Sequence, residues 1–205
     1  MGPERDLPDE QLVSLSRNGD LAAFNSLVAR YEGPVFNLCY RLLGRREPAE
    51  DAAQEAFLSA YRSLAQFGGG NVRSWLLRIA ANESRDELRR RKRKDTAASL
   101  DEMFDSLGTA VEVGDPAEGP SEAVERGELH NIMQAALGTL PFDQRHAIAL
   151  VDLYGYRYDE VADMTGASVG TIKSRVSRGR GQLRALLTRR PELLSAYRRL
   201  ERQRP

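Results

Sequence analysis

Tyr158-Asp-Glu-Val-Ala-Asp-Met-Thr-Gly-Ala-Ser-Val-Gly-Thr-Ile-Lys-Ser-Arg-Val-Ser-Arg-Gly-Arg-Gly-Gln-Leu-Arg-Ala-Leu-Leu187 is the stretch on which the fold turns. Asp159 and Glu160 suit a helix start, where the backbone dipole favours negative charge. Val161 and Ala162 give that segment an apolar side, so a short helix is expected over Asp159–Met164. Gly166 fits a tight turn, and Ser168 suits the N-cap of a longer helix, Val169–Leu187. In it Ile172, Val176, Leu183 and Leu187 recur at spacings of four, seven and four, which places them on one buried stripe. The opposite face carries Gly170, Thr171, Lys173, Ser174, Ser177, Arg178 and Gly181. From Ile172 to Arg190 there are seven bases (Lys173, Arg175, Arg178, Arg180, Arg184, Arg189, Arg190) and no acid. A merely solvated face usually mixes signs. A small, hydroxylic and cationic one suits the DNA major groove, where Lys and Arg reach guanine edges or phosphates. The pattern is that of a DNA-binding helix-turn-helix; the alternative is a solvated amphipathic helix in a bundle.

Helical periodicity extends over nearly the whole chain, without convincing two-residue alternation, so the fold class is all-α. Helices are expected over Asp9–Ser16, Asp20–Leu43 (bent at Gly33-Pro34 and closed by Gly44), Pro48–Phe67, Val72–Lys94, Glu122–Leu137 and Pro141–Leu153. Gly68-Gly69-Gly70 reads as a flexible loop, and Pro191 starts a helix in a C-terminal tail, 191–205. Between Ser99 and Glu128 there are nine acidic residues against one base, Arg126. Gly108, Gly114, Pro116, Gly119 and Pro120 break any helix there. Residues 95–121 therefore read as an acidic, flexible linker between two small helical domains, 7–94 and 122–190.

The 205 residues carry a formal net charge of zero, so the whole-chain balance does not point to nucleic acid; the distribution does. The one cysteine, Cys39, permits no intrachain disulfide and lies in the apolar run Val35–Leu43, as a core thiol does. Cys39, His130 and His146 are too few for a zinc site, and no metal or cofactor is expected. There is no phosphate loop, nucleophile elbow or metal-ligand cluster to support an enzyme. No apolar run reaches the roughly 18 residues of a membrane span, and the N-terminus lacks an apolar signal region. The expectation is a cytoplasmic protein that does not insert into membranes.

Two further helices carry candidate surfaces. Along Val72–Lys94, Trp75, Leu76 and Ile79 can pack inward. Arg78, Asn82, Arg85 and Arg89, spaced four, three and four apart, share a face. The closing run Arg89-Arg-Arg-Lys-Arg-Lys94 reads as phosphate contact. The Asn82 amide suits a base edge, and the preceding glycines let backbone approach an unstacked base. Along Pro48–Phe67, Ala53, Ala56, Phe57, Ala60 and Leu64 form a core stripe. Asp51, Glu55, Leu58 and Arg62 share the outer face, and an exposed Leu among charges is compatible with a protein partner.

Three segments, Pro48-Ala-Glu-Asp-Ala-Ala-Gln-Glu-Ala-Phe-Leu58, Arg73-Ser-Trp-Leu-Leu-Arg-Ile-Ala-Ala-Asn82 and Val169-Gly-Thr-Ile-Lys-Ser-Arg-Val176, resemble bacterial RNA-polymerase sigma factors of the extracytoplasmic-function group. The resemblance covers nearly the whole chain beyond the first few residues. It implies a four-helix region 2 bundle in the first domain and a region 4 helix-turn-helix in the second. Asp51, Gln54, Glu55 and Leu58 match the surface that grips the clamp helices of the largest subunit of core RNA polymerase; the polymerase flap region is a further implied partner. The Gly68–Arg73 loop and the helix after it, with Arg78, Asn82, Arg85 and Arg89, match the reader of the minus-ten promoter element, where a non-template base is flipped out. Thr171, Lys173, Ser174, Ser177 and Arg178 match the reader of the minus-thirty-five element, and the acidic linker matches one that threads the RNA exit path. An anti-sigma protein, commonly membrane-anchored, is also implied. Two departures, Val72 in place of an aromatic and Ser177 in place of a larger residue, bear on promoter sequence rather than on activity. Two rival readings are a stand-alone helix-turn-helix regulator and an interaction adaptor without a DNA role.

Overall fold

The structure, a computed structural model, describes residues 7–97 and 133–189. Every regular element among the described residues is helical. They fall into two compact units, one within Met1–Ser99 and one within Leu100–Pro205.

The first unit contains α1 (Asp9–Arg17), α2 (Leu21–Leu43), α3 (Arg46–Ser63), a 3₁₀ turn (Leu64–Gln66) and α4 (Val72–Ala97). Helix α2 starts where expected because Asp20 Oδ1 accepts the backbone N–H groups of Ala22 and Ala23, at 2.9 and 3.1 Å. It runs without a break through Pro34 and stops at Gly44, whose φ of +78° needs a residue without a Cβ. Helix α3 begins two residues before the expected Pro48. The proline lies within the first turn, where a missing N–H leaves no hydrogen bond unmade. Its C-terminal end tightens into the 3₁₀ turn instead of continuing to Phe67. Helix α4 reaches Ala97, three residues beyond Lys94.

Helix α2 packs on α1, α3 and α4, and α3 on α4. Leu12, Leu38, Leu42 and Leu77 are fully enclosed, each such side chain contributing about 1.5–3 kcal/mol. Helix α3 gives the core mostly methyl groups, from Ala49, Ala52, Ala53, Ala56 and Ala60, while Phe57 is only half-buried. The inward face of α4 is Val72, Leu76, Leu77, Ala80 and Ala81. Trp75 and Ile79, expected inside, sit at the margin. Asp9 fastens α1 to α2 by accepting from Arg30 and from the Tyr31 hydroxyl. Burial and this carboxylate push the Tyr31 hydroxyl up to about 12. Cys39 is the core thiol expected: it has no exposed surface, and burial pushes it up to about 11.

The second unit contains helical residues 133–138 (α5), α6 (Phe142–Ile148), α7 (Tyr158–Thr165) and α8 (Val169–Arg189). The helix expected from Pro141 to Leu153 is interrupted: from Ala149 to Leu153 it widens into a π turn. Arg145, nearly buried, donates to the carbonyls of Gly138 and Leu140 at 2.7 and 3.0 Å and so holds the turn between α5 and α6. Helix α8 packs on α6 and α7. Leu137, Leu140 and Ile148 form a cluster joined by Leu183. The linker from residue 98 on, His130, the start of the expected Glu122–Leu137 helix and the tail 191–205 lie outside the described residues.

At Gly179 the backbone of α8 comes close to α6, and an added Cβ would stand 2.4 Å from Ile148 Cδ1. Gly179→Ala is therefore expected to cost about 1 kcal/mol, the overpacking penalty exceeding the helix-propensity gain. In an Ile148→Val background, which lacks that Cδ1, the same change is expected to stabilise; urea denaturation of the four proteins of the cycle measures both signs. Since its pKa is raised, Cys39 keeps its proton as pH rises past the ordinary thiol value. Iodoacetamide at about pH 8 is expected to leave the folded protein unmodified and to label it in urea.

Candidate nucleic-acid interface

Local hydrogen bonds build the turn between α7 and α8. Glu160 accepts the Arg157 backbone N–H at 2.7 Å and so fixes the start of α7. Gly166 closes α7 at φ +66°, and the Ala167 N–H returns to the Ala162 carbonyl at 3.1 Å. Ser168 Oγ accepts the Thr171 N–H at 3.1 Å, the N-cap expected of it. The Thr171 hydroxyl lies 2.9 Å from Ser168 Oγ, so it takes part in the cap as well as in the exposed face.

The faces of α8 separate as their periodicity predicts, with one addition. Ile172 and Val176 are enclosed, at 0% and 1% exposure, and Leu183 and Leu187 are half-buried. Gly179 belongs to the same stripe, unnoticed in the sequence because a residue without a side chain adds nothing to an apolar count. Gly170, Thr171, Lys173, Ser177, Arg178 and Gly181 are exposed, and Ser174 is half-exposed.

The six cations among the described residues of α8 are not equivalent. Arg175 donates to Asp143 on α6 at 3.0 Å. Arg180 makes a two-pronged contact with Asp152 in the π turn, at 3.1 and 2.5 Å, and this contact raises the Arg180 pKa further. The local sequence of α8 holds no acid, but the fold brings two to it. Lys173, Arg178, Arg184 and Arg189 make no ion pair among the described residues. Tyr158, Lys173, Ser177, Arg180, Gly181 and Arg184 line an open depression of about 300 Å³. Its cations and hydroxyls are of the kind that hold a phosphate. Tyr158 stands at the first position of α7; its phenol had no apolar periodicity to mark it.

In the first unit, Arg78, Asn82 and Arg89 are exposed along α4, and Arg85 on the same face is half-buried. Within the basic run, Arg89 pairs with Asp86 at 3.1 Å, while Arg90 and Arg91 pair with Glu87 at 3.2 and 2.8 Å. The Arg89–Asp86 pair is solvated and is a weak hold that a phosphate can displace, whereas the Glu87 carboxylate is largely shielded. Ahead of α4, Gly69 and Gly70 take φ of +96° and +92°, and Asn71 caps the helix by accepting the Ser74 N–H at 2.9 Å. On α3, Asp51, Gln54, Glu55 and Leu58 are all exposed, Leu58 at 48%. Tyr61, one turn beyond Leu58, adds a second exposed apolar group at 40%, its ring set edge-on to Phe24 at 4.9 Å. Among the described residues no group of three or more His, Cys, Asp or Glu could hold a metal, and no helix is long and apolar enough to cross a membrane.

Sigma-70 region 2 matches residues 27–94, and sigma-70 region 4 matches residues 130–183. The RNA polymerase sigma-H factor of Pseudomonas aeruginosa is 34% identical over 177 residues, 84% of this chain and 90% of that protein. The ECF RNA polymerase sigma-E factor of Escherichia coli K12 is 36% identical over 179 residues, 85% of this chain and 91% of that protein. The chain belongs to the extracytoplasmic-function RNA polymerase sigma factors. The family is not one of catalytic enzymes. Two solved relatives share the fold of this sigma factor, each with a TM-score of 0.61 and 26% identity. One is CnrH in complex with the cytosolic domain of CnrY, covering 89% of this chain and 98% of that one. The other is the sigma factor RpoE in complex with the anti-sigma factor NepR from Bartonella quintana, covering 80% of this chain and 96% of that one. The region 2 match takes in both the α3 and the α4 faces of this sigma factor, and the region 4 match takes in the whole turn and most of α8.

The division of cations on α8 has a measurable result. Arg178→Ala is expected to lower the slope of log affinity for duplex DNA against log salt by about one. Arg175→Ala, which removes a side chain already held by Asp143, is expected to leave that slope nearly unchanged. Fluorescence anisotropy across a salt series separates the two variants.

Proposed function

We propose that this sigma factor binds core RNA polymerase and directs it to promoters through three separate faces. The α3 surface of Asp51, Gln54, Glu55 and Leu58 takes the polymerase clamp helices. The glycine loop and the α4 face of Arg78, Asn82, Arg85 and Arg89 take the minus-ten strand. The α8 face of Thr171, Lys173, Ser174, Ser177 and Arg178 takes the minus-thirty-five duplex. The region boundaries follow as 7–94 and 122–190. The observation that carries this reading is the pairing of two unlike surfaces in one sigma-family chain. A small, cationic recognition helix lies in one unit; an exposed acidic face centred on an apolar residue lies in the other. A stand-alone regulator needs the first surface but has no use for the second.

The relative RpoE from Bartonella quintana, solved in complex with the anti-sigma factor NepR, supports an anti-sigma partner for this chain too. On this reading the chain works with polymerase in the cytoplasm. The polymerase supplies bond formation, and this chain supplies position: phosphate contacts set the register and base-edge contacts select the site.

Run-off transcription with purified core enzyme on a genomic promoter pool tests the reading; a folded protein that yields no product refutes it. Leu58→Asp is expected to weaken core binding about tenfold or more, since it places a charge at the apolar centre of the contact, and to leave duplex binding intact. Lys173→Ala with Arg178→Ala is expected to do the reverse, reducing product from promoters that rely on the upstream element while core binding stays near the wild-type value.

A further inference from the structure

The carbonyl groups that lead into the glycine loop are held by a residue distant in sequence. Arg17, the last residue of α1, donates from Nε to the Leu64 carbonyl at 3.1 Å and from Nη2 to the Phe67 carbonyl. Its guanidinium carbon also lies 6.0 Å from the centre of the Phe67 ring. Phe67 is buried, with its ring centre 4.8 Å from that of Trp75 on α4. A single cation thus ties α1 to the residue immediately before Gly68. At the far side of the loop, Asn71 is fixed as the cap of α4. Gly68, Gly69 and Gly70 span the gap between these anchors; they are exposed, and a Cβ added to any of them would meet nothing within 4 Å.

We infer that Arg17 is a positioning residue for promoter melting: it holds the glycine span in the conformation that receives an unstacked nucleobase. The inference rests on the reading of this loop as the minus-ten reader. Arg17 lies outside the segment that matches region 2, which begins at residue 27. The physical ground is preorganisation. Three consecutive glycines lose more freedom on ordering than any other tripeptide, and a nucleotide that had to order them would bind more weakly by that amount. Anchoring Phe67 and Asn71 shortens the free span to three residues before DNA arrives. Arginine suits the task where lysine does not: two carbonyls and a ring face are met at once by a planar fork, while an ammonium is a single point.

The test uses the full chain bound to core polymerase and a forked promoter DNA, single-stranded across the minus-ten region, with 2-aminopurine in the non-template strand. Arg17→Ala is expected to weaken fork binding about tenfold and to reduce the 2-aminopurine signal change. Arg17→Lys is expected to fall between Ala and wild type, and Arg17→Gln, which keeps one donor, replaces the Ala variant if that one does not fold. Because Arg17 positions backbone and does not neutralise a phosphate, the salt slope of fork binding is expected to stay at the wild-type value. Hydrogen exchange of amides 68–71 is expected to rise. Wild-type fork affinity in the variants overturns the inference, as does a slope lowered by about one, which would make Arg17 a phosphate ligand. Equal losses in core binding and thermal stability would reduce Arg17 to a structural role. A wild-type protein that does not prefer the single-stranded fork to closed duplex overturns the loop reading itself.

Discussion

Everything that α8 can offer to a ligand depends on the sealing of its other side. Ile172 and Val176 have essentially no exposed surface, and Gly179 lets the helix settle against Ile148. A helix so seated cannot rotate about its own axis without exposing those side chains or driving backbone into α6. The rotation of α8 within its unit is thereby set, and the outward direction of Lys173, Ser177 and Arg178 with it. Specificity at base edges needs placement to a fraction of an ångström, and close packing on the buried side provides it.

The elements that were legible in the sequence are those marked by a residue with one physical job. Gly44, Gly166 and Ser168 each end or begin a helix through a specific hydrogen bond or a positive φ, and each does so in the structure. The α3 and α8 outer faces were legible because helical period alone sorts side chains into sides. Interactions between elements were not. Asp143 and Asp152 lie 32 and 28 residues from the arginines they meet, and no pattern local to α8 announces them. Trp75 and Ile79 were misplaced for a related reason: hydrophobicity says that a residue gains from burial, not that neighbouring helices leave room for it. The early start of α3 and the π turn after α6 are boundary effects, in which backbone geometry overrides propensity.

The two units use charge differently. In α4 the acids that temper the arginines come from the same helix, one turn away, so those pairs stay local to that helix. In α8 the tempering acids come from α6 and the π turn after it, so those pairs also brace one helix on another. Arg175 and Arg180 thus belong partly to the scaffold, and the free cations beside them belong to the surface. A count of basic residues along the chain merges these two roles.

The order in which helices meet has a consequence for how the protein is made. In the first unit α2 also packs on α4, but the other helix contacts, α1 on α2, α2 on α3 and α3 on α4, join neighbours along the chain. Contacts of this kind close short loops, the condition under which helical bundles fold fastest. The core of the first unit is complete by α4, which ends at Ala97, so it can close while the recognition helix is still being translated. Its apolar interior is then out of reach of aggregation before the strongly basic α8 appears.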